Sequence, residues 1–166
     1  CSDKTGTLTK SQMTVLRIYA GKKDYRVSGI GYEPKGDFIL EDKVVINPAN
    51  EPLELIETLR TGYLCNHATL SEDKEGYNIV GDPTEGALVV SAIKAAITEK
   101  LTILDEMPFE SEQQFMATLH SAQDKNIIYV KGSPERLLEF CQKQLINGNA
   151  ALLNTEEILL KNKDMA

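Results

Sequence analysis

Residues 102–131 read TILDEMPFESEQQFMATLHSAQDKNIIYVK, and this segment decides the fold that the sequence predicts. Three stretches of it, 102–107, 115–121 and 126–131, are rich in the apolar and β-branched residues that are typical of strands. Residues 124–126 supply a polar turn between the last two stretches. Successive strands joined by short turns pair antiparallel, so the segment predicts a run of antiparallel strands.

The flanking sequence predicts helices and further short strands. Apolar residues at helical spacing and N-capping signals predict helices over 51–66, 83–98, 134–144 and 155–163. Additional strands are expected over 14–20, 25–30 and within 37–46, and the polar residues 71–76 are expected to form a loop. This order predicts an α+β fold, in which a central, mainly antiparallel sheet is flanked by helices. We expect the first two helices to pack against that sheet.

Composition sets limits on the class of protein. The chain has 166 residues, of which 42% are hydrophobic and 26% charged, as in ordinary globular domains. Its formal net charge of -7 repels a polyanion, so no nucleic-acid partner is expected. The three cysteines are widely spaced and odd in number, which indicates neither a zinc site nor a disulfide framework. No stretch is long and apolar enough for the roughly 20 residues of a membrane-spanning helix.

Residues 3–9, DKTGTLT, carry the strongest chemical signal. A carboxylate such as that of Asp3 can approach a phosphorus centre only when cations screen its charge. Lys4 and a bound Mg²⁺ would supply that screening, and Gly6 lets the backbone close on a phosphoryl oxygen. The pattern therefore indicates phosphoryl transfer.

DKTGTLT resembles the phosphorylation motif of the P-type cation-transporting ATPases. The resemblance implies that Asp3 accepts the γ-phosphoryl group of ATP in a haloacid-dehalogenase-like domain, where Mg²⁺ binds in the intact pump. It also makes Lys4 and Thr5 catalytic positions. Many hydrolases of that superfamily carry a second Asp where this chain has Thr5. A hydroxyl is a poor general base, so the resemblance implies a long-lived aspartyl-phosphate.

Five further segments are similar to this family, in the same order. They are SGIGYEPKG (28–36), LCNHATL (64–70), GDPTEGAL (81–88), MPFESEQQFMATLH (107–120) and KGSPE (131–135). The overall pattern resembles the branch that contains calcium, sodium/potassium and proton pumps. The resemblance implies two parts, a piece of the phosphorylation domain with its hinge at 1–12 and a nucleotide-binding domain at 13–166.

The resemblance assigns roles residue by residue within these segments. Glu85 matches the acidic residue that reaches the adenine amino group, and Phe109 matches the phenylalanine that stacks on adenine. Lys131 and Gly132 match the residues beside the purine and ribose. The further ATP-binding positions carried over are Ser111, Gln114 and Met116.

Some positions depart from the family pattern. Gln114 stands where a phosphate-side lysine is common, and an amide supplies no charge to a phosphate. Ser11 stands where an asparagine is common. The later motifs of the phosphorylation domain, TGD and GDGxND, are not found in the sequence.

We therefore expect a fragment that binds ATP without turnover and forms no phosphoenzyme by itself. Its expected partners are ATP and the remaining phosphorylation, actuator and transmembrane domains of the same pump. The expected location is the cytoplasmic face of a membrane. The transported cation is not readable from these residues, because ion ligands of such pumps lie in membrane helices.

Two other functional classes remain open from the sequence. One is a stand-alone haloacid-dehalogenase-like phosphatase with Asp3 as its nucleophile, although the later motifs of that fold are not found. The other is a non-catalytic interaction module, which is favoured by Ser111 and Gln114, because they lie in a segment (110–114) where many family members carry arginine or lysine. Phosphate release from an aryl phosphate would identify the first class, and a nucleotide titration would exclude the second.

Overall fold

The computed structural model describes residues 12–41, 44–46, 52–74 and 76–165. Within these ranges the chain forms helices and antiparallel strands, which confirms the predicted α+β class. The helices are α1 (Leu53–Leu64), α2 (Pro83–Lys94), α3 (Pro134–Phe140) and α4 (Thr155–Met165). Asp3, Lys4, Thr5 and Ser11 lie outside the described residues.

The described strands divide into four antiparallel groups. The first, in the order β1-β2-β3-β4, comprises β1 (Arg17–Ala20), β2 (Lys23–Val27), β3 (Phe38–Leu40) and β4 (Val44–Ile46). The second is a hairpin of β5 (Thr69–Asp73) and β6 (Gly76–Val80). The third is the sheet of β7 (Thr102–Glu110), β8 (Phe115–Ala122) and β9 (Lys125–Gly132). The last is a hairpin of β10 (Lys143–Ile146) and β11 (Asn149–Leu152).

The main core lies between the first sheet and the pair of helices α1 and α2. Tyr25 and Phe38 from the sheet pack there with Leu55 from α1 and Ala92 from α2. A smaller cluster joins the end of α1 to the third sheet, where Cys65 packs with Met116 and Tyr129. Helix α1 thus contacts both sheets, whereas α2 packs mainly on α1 and on the β5–β6 hairpin.

Three predictions about local structure are wrong. Residues 71–73 and Gly76, predicted to lie in a loop over 71–76, form strands instead, because they pair in the β5–β6 hairpin. Ile79 of this hairpin packs on α2 at Gly86, where an added Cβ would lie 2.6 Å from the Ile79 side chain. The hairpin was missed because β5 ends in three consecutive polar residues, Ser71, Glu72 and Asp73, and main-chain pairing needs no apolar alternation. Helix α3 ends at Phe140 rather than at 144, since Lys143 already begins β10. Helix α2 ends at Lys94 rather than at 98.

The glycine-rich stretch 28–36 forms a closed loop between β2 and β3. The backbone N–H of Ser28 donates to the carbonyl of Asp37 at 2.9 Å. The Lys94 ammonium, from the end of α2, donates to the carbonyl of Ser28 at 2.8 Å. Burial lowers the pKa of this lysine. Gly29 and Gly36 have positive φ, and a Cβ on either would meet a backbone carbonyl at 2.2 Å, so this closure requires glycine.

Candidate functional site

A cleft of about 670 Å³ opens between the start of α2 and the ends of β7 and β9. We call it the main cleft. Its lining residues are His67, Asp82, Thr84, Glu85, Leu88, Pro108, Phe109, Met116, Lys131 and Gly132. Five of the predicted ATP-binding residues are therefore brought together: Glu85, Phe109, Met116, Lys131 and Gly132.

Glu85 and Lys131 form an ion pair in the wall of the main cleft. The Lys131 ammonium donates to Oε1 of Glu85 at 2.5 Å, and both side chains are less than one fifth exposed. Oε2 of Glu85 accepts the backbone N–H of His67 at 3.2 Å. Each carboxylate oxygen can accept a second donor and an ammonium has three protons, so both groups keep capacity for a ligand.

The position of Glu85 follows from the way α2 begins. Asp82 caps the helix, and its Oδ1 accepts the backbone N–H groups of Thr84 at 2.8 Å and Glu85 at 3.1 Å. These two hydrogen bonds, first that from Glu85, hold the pKa of Asp82 below its usual range. Pro83 is the first helical residue, where its missing N–H is not needed. The sequence signals for this helix start were therefore read correctly.

The backbone of Glu85 is also tied to the end of α1. Nδ2 of Asn66 donates to the carbonyl of Glu85 at 3.0 Å and to the carbonyl of Gly62 at 2.8 Å. Its Oδ1 accepts the backbone N–H of Ala68 at 2.7 Å. One amide side chain thus joins α1, the following loop and α2, which fixes the carboxylate of Glu85 opposite β9.

Phe109 and Met116 give the main cleft its apolar surface. Phe109 follows Pro108 near the end of β7 and is 58% exposed, which is unusual for an aromatic ring. Phe109 lies where the β7–β8 pairing is irregular, because the register shifts between Met107 and Glu110. Met116, on β8, is 1% exposed and also lines the cleft. An exposed ring beside a buried apolar side chain offers a stacking surface for a flat ligand.

Gly132 ends β9 where two backbone segments approach closely. A Cβ at this position would lie 2.3 Å from the carbonyl oxygen of Gln114 and 2.6 Å from Cβ of Phe115. The next residue, Ser133, donates its backbone N–H to the same Gln114 carbonyl at 2.9 Å. The absence of a side chain therefore lets β9 join the β7–β8 turn beside the main cleft.

Ser111 and Gln114 do not line the main cleft. Both are exposed in the turn between β7 and β8. Gln114 has a positive φ of 59°, and its side-chain oxygen accepts the Ser133 hydroxyl at 3.4 Å. Their assignment as ATP-binding residues stays a prediction.

The sequence interpretation gave no ligand role to several lining residues, among them His67 and Thr84. Nε2 of His67 lies 3.0 Å from Oε2 of Glu106 on β7, so this contact bridges one edge of the cleft. His67 lies within the quoted segment 64–70, and Thr84 within 81–88. Both segments were noticed as motifs, but loop geometry was needed to place these side chains.

A family model described as P-type ATPase, cytoplasmic domain N, matches residues 54–166. The chain belongs to the P-type ATPase family, and the part of that family it matches is the cytoplasmic domain N. The resemblance given by the sequence motifs is thereby confirmed.

Relatives of known name extend the likeness over nearly the whole chain. The cation-transporting ATPase pma1 of Synechocystis is 46% identical over all of this chain, which covers 19% of that protein. The calcium-transporting ATPase of Bacillus subtilis is 38% identical over 94% of the chain and 18% of its own length. The human calcium-transporting ATPase type 2C member 1 is 33% identical over 95% of the chain and 17% of its own length. The chain thus spans about a fifth of the length of the relatives it matches.

Among the described residues, no three or more His, Cys, Asp or Glu residues are grouped so as to hold a metal ion. No helix in that part of the chain is long and apolar enough to cross a membrane.

Proposed function

We propose that this chain is the ATP-binding domain of a cation-transporting P-type pump, and that the main cleft holds the adenine of ATP. The single observation that carries the proposal is that five residues predicted to bind ATP, from three separate segments of the chain, line one cleft. In the intact pump the bound ATP would then deliver its γ-phosphoryl group to Asp3, with Mg²⁺.

The chemistry of the main cleft supports adenine as its ligand. A purine is flat and apolar on its faces, so it suits a cleft lined by the exposed ring of Phe109 and by the apolar side chain of Met116. Its exocyclic amino group is a donor, so it suits the free acceptor capacity of Glu85. Lys131 supplies a positive charge on the same wall. These groups distinguish one edge of the base from the other.

The whole protein's activity follows from the same proposal. The named relatives are cation- and calcium-transporting ATPases, so we propose ATP-driven cation transport for the parent protein, with calcium as the first ion to test. Residues 1–12 would belong to its phosphorylation domain. The domain would face the cytoplasm and work with the phosphorylation, actuator and transmembrane domains.

The experiment is a titration of the ¹⁵N-labelled chain with ATP, followed by NMR. We expect saturable shifts at amides around Glu85, Phe109 and Lys131, with a Kd on the order of 0.1 to several mM, about -4 to -5 kcal/mol. Phe109→Ala should weaken binding by about 1–3 kcal/mol, the usual contribution of one stacked base.

Met107→Ala is the matched control, because Met107 is also exposed on β7 but does not line the main cleft. It should bind ATP as the wild type does. Shifts that avoid the main cleft, or a folded Phe109→Ala variant with wild-type affinity, would contradict the proposal.

A further inference from the structure

A second cavity, of about 300 Å³, lies where α1, α4 and β10 meet the turn between β1 and β2, and we call it the side cavity. None of the described residues that line it also lines the main cleft. Its lining is mostly polar and comprises two glutamates, two threonines, a lysine, a tyrosine and a glutamine, together with Ala20, Gly21, Leu145 and Ile158. The side cavity is therefore a separate place to look for a polar ligand.

Glu54 is the buried carboxylate of this lining. It is 5% exposed, and no other Asp or Glu among the described residues is buried to that extent. Its Oε1 accepts the backbone N–H of Gly148 at 2.7 Å, in the turn between β10 and β11. Its Oε2 has no hydrogen-bond partner in the described part of the chain and, unlike the Tyr25 hydroxyl, is not closed off from solvent. One oxygen of a nearly buried carboxylate thus remains open to a ligand.

The charge of Glu54 has no counter-ion within the ranges that the structure describes. The start of α1 supplies only about half a positive charge to this first-turn residue. The negative charge acts on its surroundings, since the pKa of Tyr25 is raised to about 12, first by burial and then by Glu54. The second glutamate of the lining, Glu57, already pairs with Arg60. Because buried charges are normally paired, the side cavity favours a ligand that brings one positive charge.

The other polar groups of the lining are largely engaged as donors and keep their capacity to accept. The hydroxyls of Thr58 and Thr61 donate to backbone carbonyls one turn earlier in α1, both at 2.8 Å, so their oxygens can still accept. The Tyr19 hydroxyl and the Lys22 ammonium donate to Glu157 at 2.8 and 2.7 Å. The lining therefore suits a ligand that carries several donors.

We propose that the side cavity binds a small organic cation, namely a primary ammonium group on a short alkyl chain. An ammonium has three N–H donors, which suit Oε2 of Glu54 and the hydroxyl oxygens at 58 and 61, since these positions lie on one face of α1. The alkyl chain would contact Leu145 and Ile158. A bare metal ion would gain nothing from these two aliphatic side chains.

n-Butylammonium is the probe, titrated into the ¹⁵N-labelled chain at neutral pH without nucleotide and compared with 1-butanol at the same salt concentration. We expect saturable shifts at the amides of Gly21, Thr58 and Gly148. The alcohol should bind about tenfold more weakly, because it has the same chain without the charge. Equal affinities would overturn the role of the charge. Shifts that do not saturate would mean that only the net charge of -7 attracts the amine, and would overturn the proposal.

Glu54→Gln tests the carboxylate itself. The amide keeps the size of the side chain and an acceptor for the Gly148 N–H, but it removes the charge. This variant should bind n-butylammonium about tenfold more weakly than the wild type. A folded Glu54→Gln variant with wild-type affinity would overturn the proposal.

Two positions of α4 locate the site without any change at Glu54. Ile158 lines the side cavity, whereas Leu160 is 70% exposed and does not line it. Ile158→Trp should fill the cavity and weaken n-butylammonium binding by about tenfold or more, while Leu160→Trp should bind as the wild type does. Equal behaviour of the two variants would place the binding elsewhere and contradict the proposal. Since no nucleotide is present, the result is independent of ATP binding in the main cleft.

Discussion

The core around β1–β3 and the edge strand β7 of the β7–β9 sheet both belong to antiparallel sheets, but they bury their side chains to very different extents. Tyr25, Phe38 and Leu55 in the core are almost completely buried. By contrast, all nine residues of β7 are exposed, including Phe109. The difference indicates that stability comes mainly from the first region, and that the second presents side chains to a ligand. Mutations in the two regions should therefore have different effects.

The largest effect is expected in the core. Leu55 is 0% exposed, so Leu55→Ala should lower the free energy of unfolding by about 2–5 kcal/mol through lost burial and an unfilled cavity. Leu53 lies in the same helix but is 45% exposed, so Leu53→Ala should cost less than about 1 kcal/mol. Urea unfolding followed by circular dichroism measures both. Equal losses would show that the core is not the main source of stability.

The next largest effect is expected at Gly132, where the β7–β9 sheet borders the main cleft. Gly132→Ala places a Cβ 2.3 Å from the backbone oxygen of Gln114, a contact that requires the β7–β8 turn to move. We expect a loss of about 1–3 kcal/mol in the free energy of unfolding, with the largest amide shifts in residues 110–116. Wild-type stability and unchanged shifts in this turn would mean that the close approach is not required.

The fold was predictable where the sequence has strong local signals. Asp82 and Pro83 marked the start of α2, and the apolar alternation of 115–121 marked β8. The β5–β6 and β10–β11 hairpins were not predicted as strands, because their stability depends on pairing and neighbours rather than on local composition. Residue contacts that join distant segments, such as Lys94 with Ser28, have no local signal.

The same holds for the candidate site. Glu85, Phe109 and Lys131 were identified from motifs, and they line one cleft. Their order alone did not indicate that Glu85 and Lys131 form an ion pair, because these residues are 46 positions apart. Nor did the motifs separate Gln114, which lies outside the lining, from Met116, since both occur in one segment.

The smallest expected effect is on the pH dependence of stability, through the hydrogen bonds that attach α4 to the first sheet. Glu157 of α4 accepts hydrogen bonds from Lys22 at 2.7 Å and from the Tyr19 hydroxyl at 2.8 Å. These bonds, first that from Lys22, lower the pKa of Glu157 from its ordinary value of 4.5. The folded state therefore binds this proton less readily than the unfolded state. The stability that the ionised group contributes is complete above pH 4.5 and is lost as the pH falls through the lowered pKa.

Glu157→Gln should make the stability of the chain less dependent on pH below 4.5, because the unfolded state then gains no extra proton there. Glu156→Gln is the matched control, since Glu156 is the preceding, exposed residue of the same helix. The measurement is the unfolding temperature between pH 3 and 7, roughly the range over which carboxylates titrate. The slope of this temperature against pH is compared between the variants. An identical slope in wild type and Glu157→Gln would contradict this interpretation.

The most direct test of the central claim is a comparison of ATP, ADP and AMP binding to the wild-type chain by NMR titration. Most of the affinity should come from adenine in the main cleft, since Gln114 lies outside the lining and the net charge of -7 opposes a triphosphate. The three affinities should therefore agree within about tenfold, or roughly 1.4 kcal/mol. If ATP binds about a hundredfold more tightly than AMP, the phosphates and not the adenine dominate binding, which would contradict the proposed role of the main cleft.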